Sequence, residues 1–225
     1  ALSDETSSEV FLRFLQLHAS GVPVVIPKSP SNEQYFPKDV PLKKGYKHFV
    51  ACGAYDGEPI RKLEAEIGSV ESIYCFEPEP ELFQRLLSLA EEKTPTVGES
   101  IRCFQAAVSD FSGNTAFMTG SGLGSRLHPA GDLDVEVVFL DQVLADCQVS
   151  FVSMDIEGEE LRALRGARHL LCEKGPDLGI CVYHHPDQIW EIPTFLLELN
   201  YHIYFRNYTG YAAETVLYAT RDATL

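Results

Sequence analysis

From about residue 47 onward, short apolar runs alternate with segments in which apolar residues recur every three or four positions. The pairs are Lys47 to Cys52 with Glu58 to Ile67, and Ser72 to Phe76 with Glu81 to Lys93. Ile101 to Val108 follows, then Val149 to Met154 with Glu159 to Leu171, and Leu178 to Tyr183 with Ile189 to Leu199. Strand followed by amphipathic helix, repeated, predicts parallel βαβ units with helices on both sheet faces. Pro59 and Pro80 stand where a first helical turn loses nothing by lacking an N–H. Tyr201 to Phe205 and Thr215 to Thr220 are β-rich and joined through Asn207, Thr209 and Gly210. The link is too short for a crossover helix, so an antiparallel hairpin closes the sheet. Before these units, Val10, Phe11, Phe14, Leu15 and Leu17 share a helical face, and a Pro-rich connector runs from Pro23 to Pro41. The expected layout is a lead-in over residues 1–45 and one doubly wound α/β domain over 46–225.

Composition changes this picture little. A chain of 225 residues, 45% hydrophobic and 23% charged, fits one large domain with a full core. No apolar run approaches the ~20 residues that cross a bilayer, and the first ten residues lack a basic or apolar leader pattern, so a soluble, cytoplasmic protein is expected. The six cysteines are scattered, most within apolar runs such as Tyr74-Cys75-Phe76, and read as reduced core residues. A formal net charge of −15 disfavours nucleic-acid and anionic-membrane partners and leaves a small-molecule or glycan partner.

In a doubly wound sheet the ligand lies beyond the carboxyl ends of the strands at the topological switch point, so the residues after each run carry the chemistry. The first run ends Cys52-Gly53-Ala54-Tyr55-Asp56-Gly57, where glycines let backbone N–H groups approach a ligand. The second ends Phe76-Glu77-Pro78, placing a carboxylate where it can accept both ribose hydroxyls of an adenosine. A dinucleotide would need G-x-G-x-x-G; Gly53 and Gly57 enclose three non-glycine residues instead. Asp56 would repel a pyrophosphate and attract the ammonium of a methionine moiety, so S-adenosylmethionine is the expected cofactor. The next runs end Met154-Asp155-Ile156-Glu157-Gly158-Glu159-Glu160 and Tyr183-His184-His185-Pro186. Asp155 and Glu157 share a side if strand geometry continues, and one of the paired imidazoles must face the crevice. Glu159 and Glu160 read as acidic charge at a helix start.

These blocks, together with Ala106-Ala107-Val108-Ser109-Asp110, resemble the FkbM-type methyltransferases from about Tyr35 to Ala219, most specifically in Asp-Ile-Glu-Gly followed by Tyr-His. The resemblance implies a class I methyltransferase fold and O-methylation of hydroxyls on sugars, polysaccharides or natural products. It implies that Gly53, Ala54, Tyr55, Asp56 and Gly57 border the methionine end. Glu77 and Pro78 would border the ribose, and Ala107, Val108 and Asp110 the adenine, with Asp110 on its amino group. His184 is the expected base, assisted by Asp155, with Glu157 and His185 holding the acceptor. The family usually has an acid where this chain has Ala51, which leaves Asp56 to serve alone. Tyr208, Tyr211 and the Gly120 to Gly124 loop are candidates for the acceptor pocket.

Three other readings compete. A scaffold that binds the cofactor without turning it over is compatible with Ala51, and a dinucleotide oxidoreductase is disfavoured by the glycine spacing. Asp155, Glu157 and His184 have the donor chemistry for Mg²⁺ or a transition metal, but no dedicated ligand spacing is visible, and the chemistry is taken as metal-free.

Overall fold

The structure is a computed structural model that describes residues 2–120 and 124–222. In chain order its elements are α1 (Glu5–Ser20), β1 (His48–Cys52), α2 (Glu58–Glu66), β2 (Val70–Phe76), α3 (Pro80–Lys93) and β3 (Gly98–Phe104). Then come β4 (Ala107–Val108), β5 (Gly113–Met118), β6 (Arg126–Leu127), β7 (Leu133–Val138), α4 (Leu140–Val143) and β8 (Phe151–Met154). The chain continues through α5 (Glu160–Arg165), α6 (Arg168–Glu173), β9 (Asp177–Cys181), α7 (Gln188–Glu198), β10 (His202–Asn207) and β11 (Thr215–Thr220).

Seven strands form one sheet in the order β10-β11-β9-β8-β1-β2-β3, parallel except for β11, which pairs antiparallel with both β9 and β10. The central strands β1 and β8 are almost wholly buried, as strands covered by helices on both faces must be. The chain winds from β1 outward through β2 and β3, then returns to build β8 and β9 on the other side of β1. The switch point therefore lies between β1 and β8. One apolar cluster on each side fills the core, with Val50, Val152 and Ile180 in the first and Phe49, Ile73 and Phe151 in the second. Among the described residues no helix is long and apolar enough to cross a membrane.

Three local expectations change. The helix expected over residues 159–171 is two, α5 and α6. A Cβ on Gly166 would lie 2.2 Å from the Ser109 carbonyl oxygen, and the Gly166 carbonyl accepts the Asp141 N–H, so the chain turns there. The Asp141 carboxylate then takes the N–H groups of His169 and Leu170, which open α6. The run Ile101 to Val108 likewise divides. β3 ends at Phe104, and β4 joins a second, four-stranded sheet in the order β4-β7-β5-β6. That sheet occupies the stretch after Val108 for which the apolar pattern gave no elements, and it packs Phe117, Val135 and Val137 beside the crevice.

The lead-in lies against the last strands. Asp4 caps α1 through Ser7 N–H at 2.7 Å and also meets Arg206 of β10 at 2.7 Å. Arg206 is 2% exposed and takes a second carboxylate, Asp39, at 2.8 Å, while Ser7 Oγ accepts the Phe205 N–H.

Candidate functional site

The carboxyl ends of β1, β2 and β8 meet through backbone contacts. Gly53 and Ala54 donate their N–H groups to Phe76 O, and Asp155 donates to Cys52 O. Gly53 has φ +79°, and a Cβ there would stand 1.9 Å from Asp155 O, so the loop after β1 presses on the tip of β8 at a distance only glycine permits. Tyr55, at φ +52°, turns its N–H onto Glu77 Oε2 at 2.9 Å, and Glu79 N–H reaches Glu77 Oε1 at 2.9 Å. Glu77 is 6% exposed. Burial pushes its carboxyl up to about 7, partly offset by those two N–H groups.

Around these tips opens a crevice. Gly53, Tyr55, Glu77, Pro78, Ala107 and Val108 line it, joined by Asp155 and Glu157 on the other side. Its apolar part comes from Phe76, Leu82, Ala106, Phe117 and Leu127. The strand tips thus bring together eight of the residues singled out in the sequence.

The remaining six lie elsewhere. Ala54 is fully buried under the loop, and a Cβ on Gly57 would meet Leu89 Cδ2 at 2.3 Å, so that glycine serves the packing of α2 on α3. Asp56 is ion-paired with Arg61, and Asp110 with Arg162 at 2.7 Å; neither carboxylate lines the crevice. The Arg162 guanidinium also holds the Asp110 carboxyl below the usual range, despite some opposing burial. Each acid was read as free for the cofactor, but a guanidinium within reach of it takes the charge first. Ala51 contributes to the apolar cluster with Phe49 and Phe151 and does not line the crevice.

His184 and His185 stand behind the crevice wall rather than on it. The His185 ring fills the space a Gly158 side chain would take, 2.4 Å from the position of its Cβ. His184 is 9% exposed and ringed by carboxylates. Glu160 Oε1 lies 2.9 Å from Nδ1, and Asp155 Oδ1 and Glu157 Oε2 lie 3.3 and 3.5 Å from Nε2. Burial alone would lower the His184 pKa, but Glu160 first, then Asp155 and Glu157, raise it to about 9. The imidazole expected as base therefore already carries its proton at neutral pH. Asp155 moves to about 6, raised by burial and by Glu160, Glu214 and Glu157, and held back by His184.

Several contributors gave no signal in the sequence. Glu160, read as a helix-start charge, is fully buried. It accepts N–H groups from Ile156 at 3.0 Å and Gly158 at 3.4 Å, and the Gln188 amide. Tyr35, from the Pro-rich connector, donates its hydroxyl to Asp155 Oδ2 at 3.3 Å. Tyr183 Oη lies 3.4 Å from Asp155 Oδ1 and 3.5 Å from Glu214 Oε1, and Gln34 reaches the other Glu214 oxygen. Gly124 lines the crevice and donates to Glu157 Oε1 at 3.1 Å; Ser121, Gly122 and Leu123 of that loop lie outside the described residues. Tyr208 bonds Tyr218 in the core at 2.6 Å and Tyr211 is exposed, so neither of those expected aromatics reaches the crevice.

A doubly wound sheet in this strand order, with a glycine loop and a buried acid at consecutive strand tips, defines the class I methyltransferase fold. The profile of the Methyltransferase FkbM domain matches residues 51–203, and the chain belongs to that family. Its fold is similar to that of methyltransferase FkbM from Methylobacillus flagellatus KT, with TM-score 0.80 and 24% identity. That match covers 97% of this chain and 56% of the other, so this chain spans little more than half that protein's length. A fibrillarin from Aeropyrum pernix, solved with natively bound S-adenosyl-L-methionine, aligns at TM-score 0.49 and 14% identity over 82% of this chain and 70% of its own. No curated protein sequence matches this chain. The cofactor of a methyltransferase of this family is S-adenosylmethionine, and the residues present fit it: a glycine where a Cβ would collide, a carboxylate with both oxygens braced by N–H groups, and an apolar recess beside them.

Proposed function

We propose that this protein transfers the methyl group of S-adenosylmethionine to a hydroxyl oxygen of a sugar, polysaccharide or natural product. The observation that carries the reading is Glu77, buried at the second strand tip, braced by two N–H groups and facing the same crevice as Gly53, Asp155 and Glu157. Each carboxylate oxygen keeps a free lone pair, which suits the two adjacent hydroxyls of a ribose. Ala107, Val108 and Leu82 supply an apolar recess for the adenine, and the Gly53 loop borders the methionine end.

With the cofactor's nucleoside held at Glu77, Asp155 and Glu157 would line the side of the crevice left for the acceptor. An in-line approach places the acceptor oxygen roughly 3 Å from the methyl carbon, and such positioning contributes on the order of 7 kcal/mol or more. The acceptor's proton passes to this carboxylate pair, since these groups line the crevice while His184 stands behind them already charged. As the oxygen's electron pair forms the new O–CH3 bond, the CH3–S bond breaks and the sulfonium becomes a neutral thioether. While its ring is protonated, His184 holds the carboxylates in place by its charge.

Calorimetry with S-adenosylhomocysteine tests the cofactor assignment. Glu77→Gln is expected to weaken binding by roughly 1–3 kcal/mol, the scale of charge-assisted hydrogen bonds, and unchanged affinity overturns the ribose assignment. Transfer of a labelled methyl group to a panel of sugars and phenolic or alcoholic natural products tests the reaction. Tight S-adenosylhomocysteine binding without turnover across that panel favours the scaffold reading instead.

A further inference from the structure

We propose that the corner formed by Asp155, Glu160 and His184 is a binding site for a divalent first-row transition-metal cation, its open positions facing the acceptor side of the crevice. The proposal deepens the methyltransferase reading and rests on it for the cation's role. The first observation is proximity: one ligand atom from each of these three residues lies within 4.8 Å of the other two. With metal–oxygen and metal–nitrogen distances of about 2.0–2.2 Å, ligands on one ion stand up to roughly 4.3 Å apart, near the separation here; Glu160 faces Nδ1 and Asp155 faces Nε2, so one carboxylate swings to the nitrogen that takes the ion.

The second observation is independent of the acids. The His184 side chain is 9% exposed, yet neither ring nitrogen has a hydrogen-bond partner among the described residues. The neighbouring carboxylates are near enough for ion pairing and misaligned for a hydrogen bond. A buried imidazole aimed into a group of carboxylates, with its nitrogens unsatisfied, is unusual without a ligand to complete it.

Charge and orientation agree. Asp155, Glu157 and Glu160 surround one imidazole, so a protonated ring leaves two negative charges uncompensated, whereas a dication with a neutral ring leaves one. The carboxylates are held from behind, Glu160 by the Ile156 and Gly158 N–H groups and the Gln188 amide, Asp155 by the Tyr35 and Tyr183 hydroxyls. Ligand carboxylates in metal sites are oriented in this way. Two oxygens and one imidazole suit Mn²⁺, Fe²⁺, Co²⁺ or Zn²⁺.

A hydroxyl oxygen coordinated at this corner is acidified toward neutrality. Its proton passes to Glu157, which lines the crevice 3.5 Å from the His184 ring, and its electron pair attacks the methyl carbon as described above.

The test is titration of metal-stripped protein with Mn²⁺, read as loss of the free-ion paramagnetic resonance signal, and with Zn²⁺ by calorimetry. One site per chain is expected, weakened tenfold or more in Asp155→Asn and in His184→Gln. Thermal melting identifies a variant that has not folded, and the other variant then decides. No stoichiometric site up to millimolar ion, or a site that both folded variants leave unchanged, overturns the proposal. S-adenosylhomocysteine titrated into the same metal-stripped protein separates the two readings. Cofactor binding without a cation site sinks the cation alone, and a cation site without cofactor binding sinks the methyltransferase reading.

Discussion

The two walls of the crevice are made in different ways. The wall beside Gly53, Tyr55 and Glu77 is mostly backbone: N–H groups from Gly53, Ala54, Tyr55 and Glu79 fix loops and a carboxylate within a few residues of a strand tip. On the opposite side Asp155 and Glu157 line the crevice, backed by side chains from distant segments: Tyr35, Tyr183, His184 and Glu214 meet behind them through hydroxyl, carboxylate and imidazole contacts. A backbone wall binds what every member of such a fold must bind. A side-chain wall can change its ligand by point substitution while the fold stays intact.

Gly53→Ala presses hardest on this contrast. A Cβ 1.9 Å from Asp155 O, at φ +79°, forces the loop after β1 away from β8, and a loss of roughly 2–4 kcal/mol is expected by chemical denaturation together with loss of S-adenosylhomocysteine binding. Wild-type stability and affinity would mean that this wall does not depend on backbone contact.

The Glu77 carboxyl gives a graded effect. Its pKa rises from an ordinary 4.5 to about 7 on folding, so the folded state holds the proton more tightly, and the associated stability is present below about pH 4.5 and lost as pH rises through 7. The loss amounts to at most about 3 kcal/mol. In the cofactor-free protein the stability of Glu77→Gln relative to wild type should therefore grow between pH 5 and pH 8. Ribose hydroxyls favour the carboxylate, so S-adenosylhomocysteine binding should strengthen with pH up to about 7 and release protons at pH 6.5, as calorimetry in buffers of different ionisation enthalpy would detect. A pH-independent affinity with no proton release contradicts the assignment.

The smallest effect belongs to Tyr35→Phe. It removes the 3.3 Å hydrogen bond to Asp155 and the 3.2 Å contact with Cys181 Sγ, so stability should change by about 1 kcal/mol and cofactor affinity not at all. Methyl transfer, measured with whichever acceptor the panel yields, should fall. Equal losses in cofactor affinity and transfer would show that the two walls are not separable.

The same contrast explains what the chain made legible. Gly53, Glu77 and Asp155 each follow an apolar run, so locating the strands located them, and the hairpin of β10 and β11 was forced by a link too short for a helix. The position of Tyr35 against Asp155 depends on a contact across 120 residues, which no local pattern carries. Asp56 and Asp110 looked available because sequence spacing alone did not assign Arg61 and Arg162 to them. Arg61 is only five positions from Asp56, while Arg162 reaches Asp110 from α5, 52 positions along the chain. The second sheet left little trace because β4 and β6 are two residues long and β5 has little apolar alternation; β7 alone carries a strand pattern, Leu133, Val135 and Val137 alternating with acids, and one strand does not announce a sheet. The pairing of His184 with Glu160 was hidden for a different reason. An acid at a helix start ordinarily faces water, and only the fold shows this one fully enclosed.

The Arg206 clamp has a consequence for the order in which the molecule assembles. Asp4 and Arg206 are separated by 202 positions, and Ser7 receives the N–H of Phe205, so α1 cannot dock until β10 exists. The contacts of β1 with β2, and of the Gly53 loop with Phe76, close over far shorter stretches of chain and carry a smaller loop-closure cost. Contacts of low sequence separation form early and those that join the ends form late. The Gly53 loop should thus acquire hydrogen-exchange protection early in refolding, and the connector that carries Tyr35 should be among the last segments to gain it.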